Sequence, residues 1–231
     1  DSPVPLVSRF GGKATNLARL YAYLDAQYRV GGFGIPFAHF EAFLDTTTVS
    51  DPRDATSPPL TLRSLVKTLA ADASLAQDRT RRAVLLAALR KAIETAGTVP
   101  PALVSDLAAR IIAEFGGTGV RVRFRSSSNV EDGLEFPGAG LYDSTTVCAD
   151  DSLDADALGP SACDPSNPDE RGIERGLRKV WASLYSDRAW DERDWFQVPQ
   201  DAASMAVLVT QGFPDEDANG VVFTGDPGDP A

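Results

Sequence analysis

Three stretches of this chain carry residue types that suit the binding of phosphate. Gly11-Gly12-Lys13 stands just before an apolar helical pattern. Glycines let the backbone approach a ligand closely. A helix N-terminus offers unpaired N–H groups and partial positive charge, and Lys13 adds a full charge. The plain alternative is a turn with a solvated lysine. The segment is not a Walker-type loop: Val7 stands where that motif needs its first glycine, and Ala14 where it needs Ser or Thr.

The second stretch is RVRFRSSS, residues 121–128. Val120, Val122 and Phe124 face one way along a strand, and Arg121, Arg123 and Arg125 face the other. Three cations on one sheet face repel each other unless anions or carboxylates lie between them. Either the row is a solvated face paired with acids, or Arg125, at the strand end, is a bidentate donor to a polyphosphate. In the second case Ser126, Ser127 and Ser128 break into a small-residue loop that supplies further donors. The third stretch is Glu131-Asp132 followed by Gly138-Ala139-Gly140. It is either a plain turn or a glycine-rich loop able to fold over phosphates.

The elements around these stretches are legible from periodicity. Leu17, Leu20, Tyr21 and Leu24 are spaced as a helix stripe, and Phe37, Phe40, Phe43 and Leu44 as a shorter one. Residues 45–59 read as a loop. Helices are predicted near 60–71, 80–96 and 101–115, the last begun by Pro101 and ended by Gly116-Gly117. Residues 148–168 read as a long acidic loop. Asn167-Pro168-Asp169-Glu170 reads as a helix start, with Asn as cap and Pro at the first position. Met205 to Val209 reads as a strand forming a hairpin with Val221-Val222-Phe223. Trp181 belongs in the core, and Trp190 and Trp195 pack a helix end. Helices dominate residues 1–117 and strands enter after 118, so the fold is α+β with two lobes meeting near 117–120.

Composition excludes some functions. The 231 residues carry a formal net charge of −11, which argues against a nucleic-acid surface. No apolar run approaches the ~20 residues of a membrane helix. No signal peptide is visible, and the start at Asp1 reads as a trimmed terminus. His39 is the one histidine, too little for a histidine-rich metal site or a Ser-His triad. Cys148 and Cys163 form no CxxC. A bridge between them would close the acidic loop and suggest export.

In order along the chain, these motifs resemble a known family. GGKATNLARL, RFRSSSNVEDGLEFPGAGLYDST, VWASLYSDRAW and MAVLVTQGFPDEDANGVVFTGDP are similar to four motifs of the nucleotide-binding domain shared by phosphoenolpyruvate synthase, pyruvate phosphate dikinase and rifampicin phosphotransferase. The resemblance implies an ATP-grasp-like fold with its second lobe truncated at the C-terminus. It implies ATP as ligand, cytoplasmic location if ATP is used, and Mg²⁺ held by acids beyond residue 231. The family reaction phosphorylates a histidine with release of AMP, and a swivelling phosphohistidine domain then serves an acceptor domain. By position, Lys13 and Arg125 would contact the phosphates. Ser126, Ser127, Gly138, Ala139 and Gly140 would form the loop over them. Val209, Thr210 and Gln211 would line the adenine.

The departures are as specific. The family's Phe-Thr-Arg-Asn-Pro appears here as Phe223-Thr224-Gly225-Asp226-Pro227, with glycine for a basic residue. No segment matches the phosphohistidine domain, and His39 lies in the wrong context to replace it. Phosphoryl transfer depends on metal and cations that neutralise developing charge, so these residues alone are not expected to be an active kinase. The alternative reading is a degenerate, non-catalytic relative that binds a nucleotide or a protein.

Overall fold

A computed structural model describes residues 4–117, 119–131, 140–154, 156, 158–213, 216–218 and 220. The first half supplies α1 (Val4–Tyr21), β1 (Gly32–Ile35), α2 (Phe37–Thr46), the short pair β2 (Thr48–Val49) and β3 (Leu60–Thr61), α3 (Leu62–Ala70), α4 (Ser74–Gln77), α5 (Arg79–Thr95) and α6 (Pro101–Phe115). The second supplies β4 (Arg121–Ser128), β5 (Ser144–Cys148), α7 (Ile173–Ser183), α8 (Asp187–Trp195) and β6 (Met205–Gln211). The fold is α+β. Its main sheet is antiparallel in the order β1-β6-β4-β5. It therefore draws strands from both sides of residue 117.

Local chemistry explains most boundaries. The Thr61 and Asp78 side chains accept from the Ser64 and Arg81 amides, capping α3 and α5. Pro101 opens α6, and Gly116 closes it at φ 88°. The apolar side of the alternating strand is fully buried: Val122 and Phe124, with Val147 and Val209 from the neighbouring strands, are 0% exposed. Helix α7 covers this face, packing on β4, β5 and β6. Trp181 of α7 lies in the core against Phe40 and Phe43 of α2. The arginine side of β4 is the opposite face, and α1 crosses part of it.

Three details differ from the expectations. The serines do not break the strand: β4 runs through Ser128, with Ser126, Ser127 and Ser128 opposite Val207, Ala206 and Met205 of β6. Asn167-Pro168 starts no helix, because α7 begins at Ile173. The segment before it is held extended by the acidic loop. Arg171 O accepts from the Cys148 amide (3.0 Å), Asp151 takes the Arg171 amide (2.7 Å), and Ser152 Oγ takes the Ile173 amide (2.7 Å). Trp190 is buried, but Trp195 is 81% exposed and packs nothing at the helix end. The predicted partner strand 221–223 of the hairpin lies outside the described residues, as does Gly225.

Cys148 and Cys163 are joined in a disulfide across 15 residues. Beside it, Asp164 pairs with Arg121 at 3.2 Å and Arg171 at 3.7 Å. Closing a loop of this length removes unfolded-state entropy of about 3 kcal/mol. Reducing the bridge is therefore expected to lower the urea midpoint and to steepen the slope, because the uncrosslinked chain exposes more surface when it unfolds. An unchanged midpoint, with both thiols titrating, would remove the bridge from the stability of the fold.

Candidate nucleotide site

The site is organised by a break inside α1. Gly11 sits at φ 75°, ψ 177°, outside helical space, so the helix restarts after it. The restart is docked on the sheet by a buried serine. Ser127 Oγ donates to Phe10 O (2.6 Å) and accepts from the Ala14 amide (3.1 Å). One of the expected free amides is thus already taken. Thr15 Oγ1 donates back to Gly11 O at 2.8 Å.

This geometry delivers Lys13 to the end of β4. Its ammonium donates to Ser126 O (3.2 Å), Ser126 Oγ (3.3 Å) and Glu131 Oε1 (3.1 Å). Glu131 is 5% exposed, and the same oxygen accepts from the Ser128 amide at 3.1 Å. The Lys13 side chain keeps 40% exposure and lines the cavity described next.

Between the second half of α1 and the arginine face lies a cavity of ≈ 520 Å³. Leu17, Leu20 and Tyr21 of α1 and Leu24 just after it line the cavity, as do Leu208 and Phe213. The Tyr21 hydroxyl donates to Val30 O and fastens the chain after α1. Lys13 and Arg125 also line the cavity, at the end away from Leu24, and Thr210 and Gln211 of β6 line it further along the strands. An apolar slot with cations at one end suits a flat aromatic base joined to an anionic chain.

The expected site residues divide clearly. Lys13, Arg125, Thr210 and Gln211 share this cavity. Ser126 and Ser127 are buried in β4, where they hold Lys13 and α1 rather than forming a loop. Val209 is 0% exposed on the core side, and its neighbour Leu208 faces the cavity instead. Gly140 lies at φ 72° and accepts from Arg188. Gly138 and Ala139 lie outside the described residues.

Two contributors were not assigned from sequence. Glu131 meets Lys13 across 118 positions of sequence, a contact that no local pattern signals. The leucine stripe of α1 was readable as helical, but its periodicity did not reveal that it lines a cleft.

The arginine row itself is graded. Arg121 is neutralised by Asp164. Arg123 is partly buried, with Nη1 donating to Thr146 Oγ1 at 2.9 Å. Burial, then repulsion from Arg125 and Arg171, lowers its proton affinity against the attraction of Glu216. Arg125 is exposed.

Comparison with known proteins identifies the family. The family described as pyruvate phosphate dikinase, AMP/ATP-binding domain, matches residues 7–230. The prodigiosin synthesizing transferase PigC of Serratia marcescens is 33% identical over 123 residues. That match covers 53% of this chain and 11% of the transferase, so the chain spans only a small part of that relative.

Proposed function

Since this chain belongs to the AMP/ATP-binding domain family of pyruvate phosphate dikinase, we propose that it is the ATP-binding part of a dikinase-type phosphotransferase. In this reading the adenine lies against Leu17, Leu20, Tyr21 and Leu208. The triphosphate runs toward Lys13 and Arg125. The bound ATP phosphorylates a histidine on a separate swivelling domain, AMP leaves, and the phosphoryl group passes to an acceptor domain.

The observation that carries the reading is one cavity with an apolar wall and two cations from separate motifs at one end. Ser126, Ser127 and Glu131 act as positioning residues. They hold Lys13 before the ligand arrives, so binding costs less ordering of its side chain. Among the described residues, the buried carboxylate at this end is Glu131, which is committed to Lys13 and the Ser128 amide. These residues do not form a carboxylate set suited to Mg²⁺. A metal would need acids from elsewhere in the protein.

Calorimetric titration with ATP, with Mg²⁺ and with EDTA, tests the proposal. Binding in the micromolar to low-millimolar range is expected. Arg125→Ala is expected to weaken it by at least about tenfold, since hydrogen bonds to charged groups contribute about 1.5–3 kcal/mol. Unchanged affinity in that variant removes the phosphate role from Arg125. The second reading, a non-catalytic relative, is favoured by Gly225 where the family has a basic residue. It predicts ATP binding without AMP release by the full-length protein.

A further inference from the structure

The motif VWASLYSDRAW has no task in the nucleotide reading. It ends α7, turns and begins α8. Ser186 Oγ caps α8 by accepting from the Ala189 amide at 3.2 Å, and Asp187 takes the Nε of Arg82 from α5. The helix fixed in this way sends two arginines to one segment. Arg188 donates to Gly140 O, and Arg193 Nη1 donates to the Tyr142 hydroxyl at 3.4 Å. Gly140 closes the glycine-rich stretch, and Tyr142 follows it. Tyr142 is buried, and its hydroxyl also reaches the segment before that stretch. Burial pushes this hydroxyl up against the pull of Arg193; the Glu131 charge adds to the rise, and a bond with the Ser128 side chain opposes it.

Arg193 is itself held firmly. It is 0% exposed, and its Nε donates to Gln200 Oε1 at 2.7 Å. Gln200 donates in turn to Trp190 O at 2.9 Å and to Asp194. On the other flank, Asn129 ties the end of β4 to the segment before β6. Its Oδ1 accepts from the Ser204 amide (2.7 Å) and its Nδ2 donates to Ala202 O (2.8 Å). Between these two anchors stands Tyr142, with a buried cation on one side and Glu131 on the other. One oxygen of Glu131 accepts from both the Ser128 amide and the Lys13 ammonium, at 3.1 Å each. Apolar packing would join these segments at least as firmly as a buried charge does. What the polar chain adds is a fixed place for the carboxylate at its end.

Resting on the ATP reading, we propose that Tyr142 and Arg193 are positioning residues for the phosphate end of the site, acting through Glu131 on Lys13. Helix α8 is then the frame that holds the two flanks of the glycine-rich stretch together.

The test is a double-mutant cycle in ATP affinity, read by calorimetry, of Tyr142→Phe against Lys13→Ala. Tyr142→Phe keeps the ring and removes only the hydroxyl, whereas Arg193→Ala would open a hole in the core. Tyr142→Phe is expected to weaken ATP binding about fivefold, the weight of one hydrogen bond. With Lys13 already replaced by alanine, the same change should cost less than about twofold, because the two residues act in one chain. Equal losses in the two backgrounds overturn the inference and leave the ATP reading intact. A lower melting temperature of Tyr142→Phe with unchanged ATP affinity also overturns it, since the hydroxyl then serves the fold alone. If Lys13→Ala binds ATP as tightly as the unaltered protein, Lys13 leaves the phosphate site and the inference falls with it, while Arg125→Ala still tests the ATP reading. Absence of ATP binding by the unaltered protein overturns both.

Discussion

Gly11→Ala is expected to destabilise the protein by about 3 kcal/mol and to abolish detectable ATP binding. Two independent costs add. At φ 75° and ψ 177° the backbone occupies a region essentially reserved for glycine. A Cβ built there would also lie 2.2 Å from Ser127 O. That carbonyl is part of the β4 backbone and cannot swing aside as a side-chain end can. Relief requires α1 to lift from the sheet, which breaks the Ser127 bonds to Phe10 and Ala14 and withdraws Lys13. Gly116→Ala separates the two costs. It has φ 88° but nothing within 4 Å of the added Cβ, so only the conformational penalty of about 1–2 kcal/mol applies. Denaturation of both variants, with ATP titration, decides the matter. Equal losses would mean that the close approach to Ser127 is not what fixes glycine at position 11.

The second large effect concerns Arg82, which is 2% exposed. Its Nε donates to Asp187 Oδ1 (2.9 Å), and its Nη2 donates to Asp191. These bonds join α5 to α8. The two sides of the cluster are not equivalent. Asp187 and Asp191 side chains keep 41% and 30% exposure, and Asp191 also meets Arg79 at 2.9 Å. In Arg82→Met the acids left behind can reach water, and methionine keeps much of the packing of the arginine stem. A loss of about 1–2 kcal/mol is expected. In Asp187→Ala/Asp191→Ala the guanidinium stays buried without a counter-charge, and the loss should reach about 3–5 kcal/mol. Urea midpoints at constant slope measure the difference. If the two variants lose the same amount, water reaches Arg82 and its burial is not what makes the cluster matter.

The sequence by itself determined more of the identity than of the geometry. Four motifs in order pointed to the nucleotide-binding family, because each records a backbone or charge requirement that survives as residue type. Local rules also placed the elements that depend on local bonds. Pro101 and Gly116 bounded α6, and the alternation at 120–125 separated the buried valine face from the arginine face.

Other features depended on contacts between distant segments. Periodicity states which residues share a face, not what covers that face. The leucine stripe of α1 therefore became a cleft wall, and Leu208 rather than Val209 met the cavity. The serines after Arg125 looked like a loop because their type favours turns. Pairing with β6 kept them in the sheet and buried them. The start of α7 moved to Ile173 because the acidic loop supplies Asp151 and Ser152 to the preceding amides. The contact between Lys13 and Glu131 joins residues 118 positions apart. Its geometry is set by the kink at Gly11 and the end of β4 together, and no local pattern in the chain encodes both.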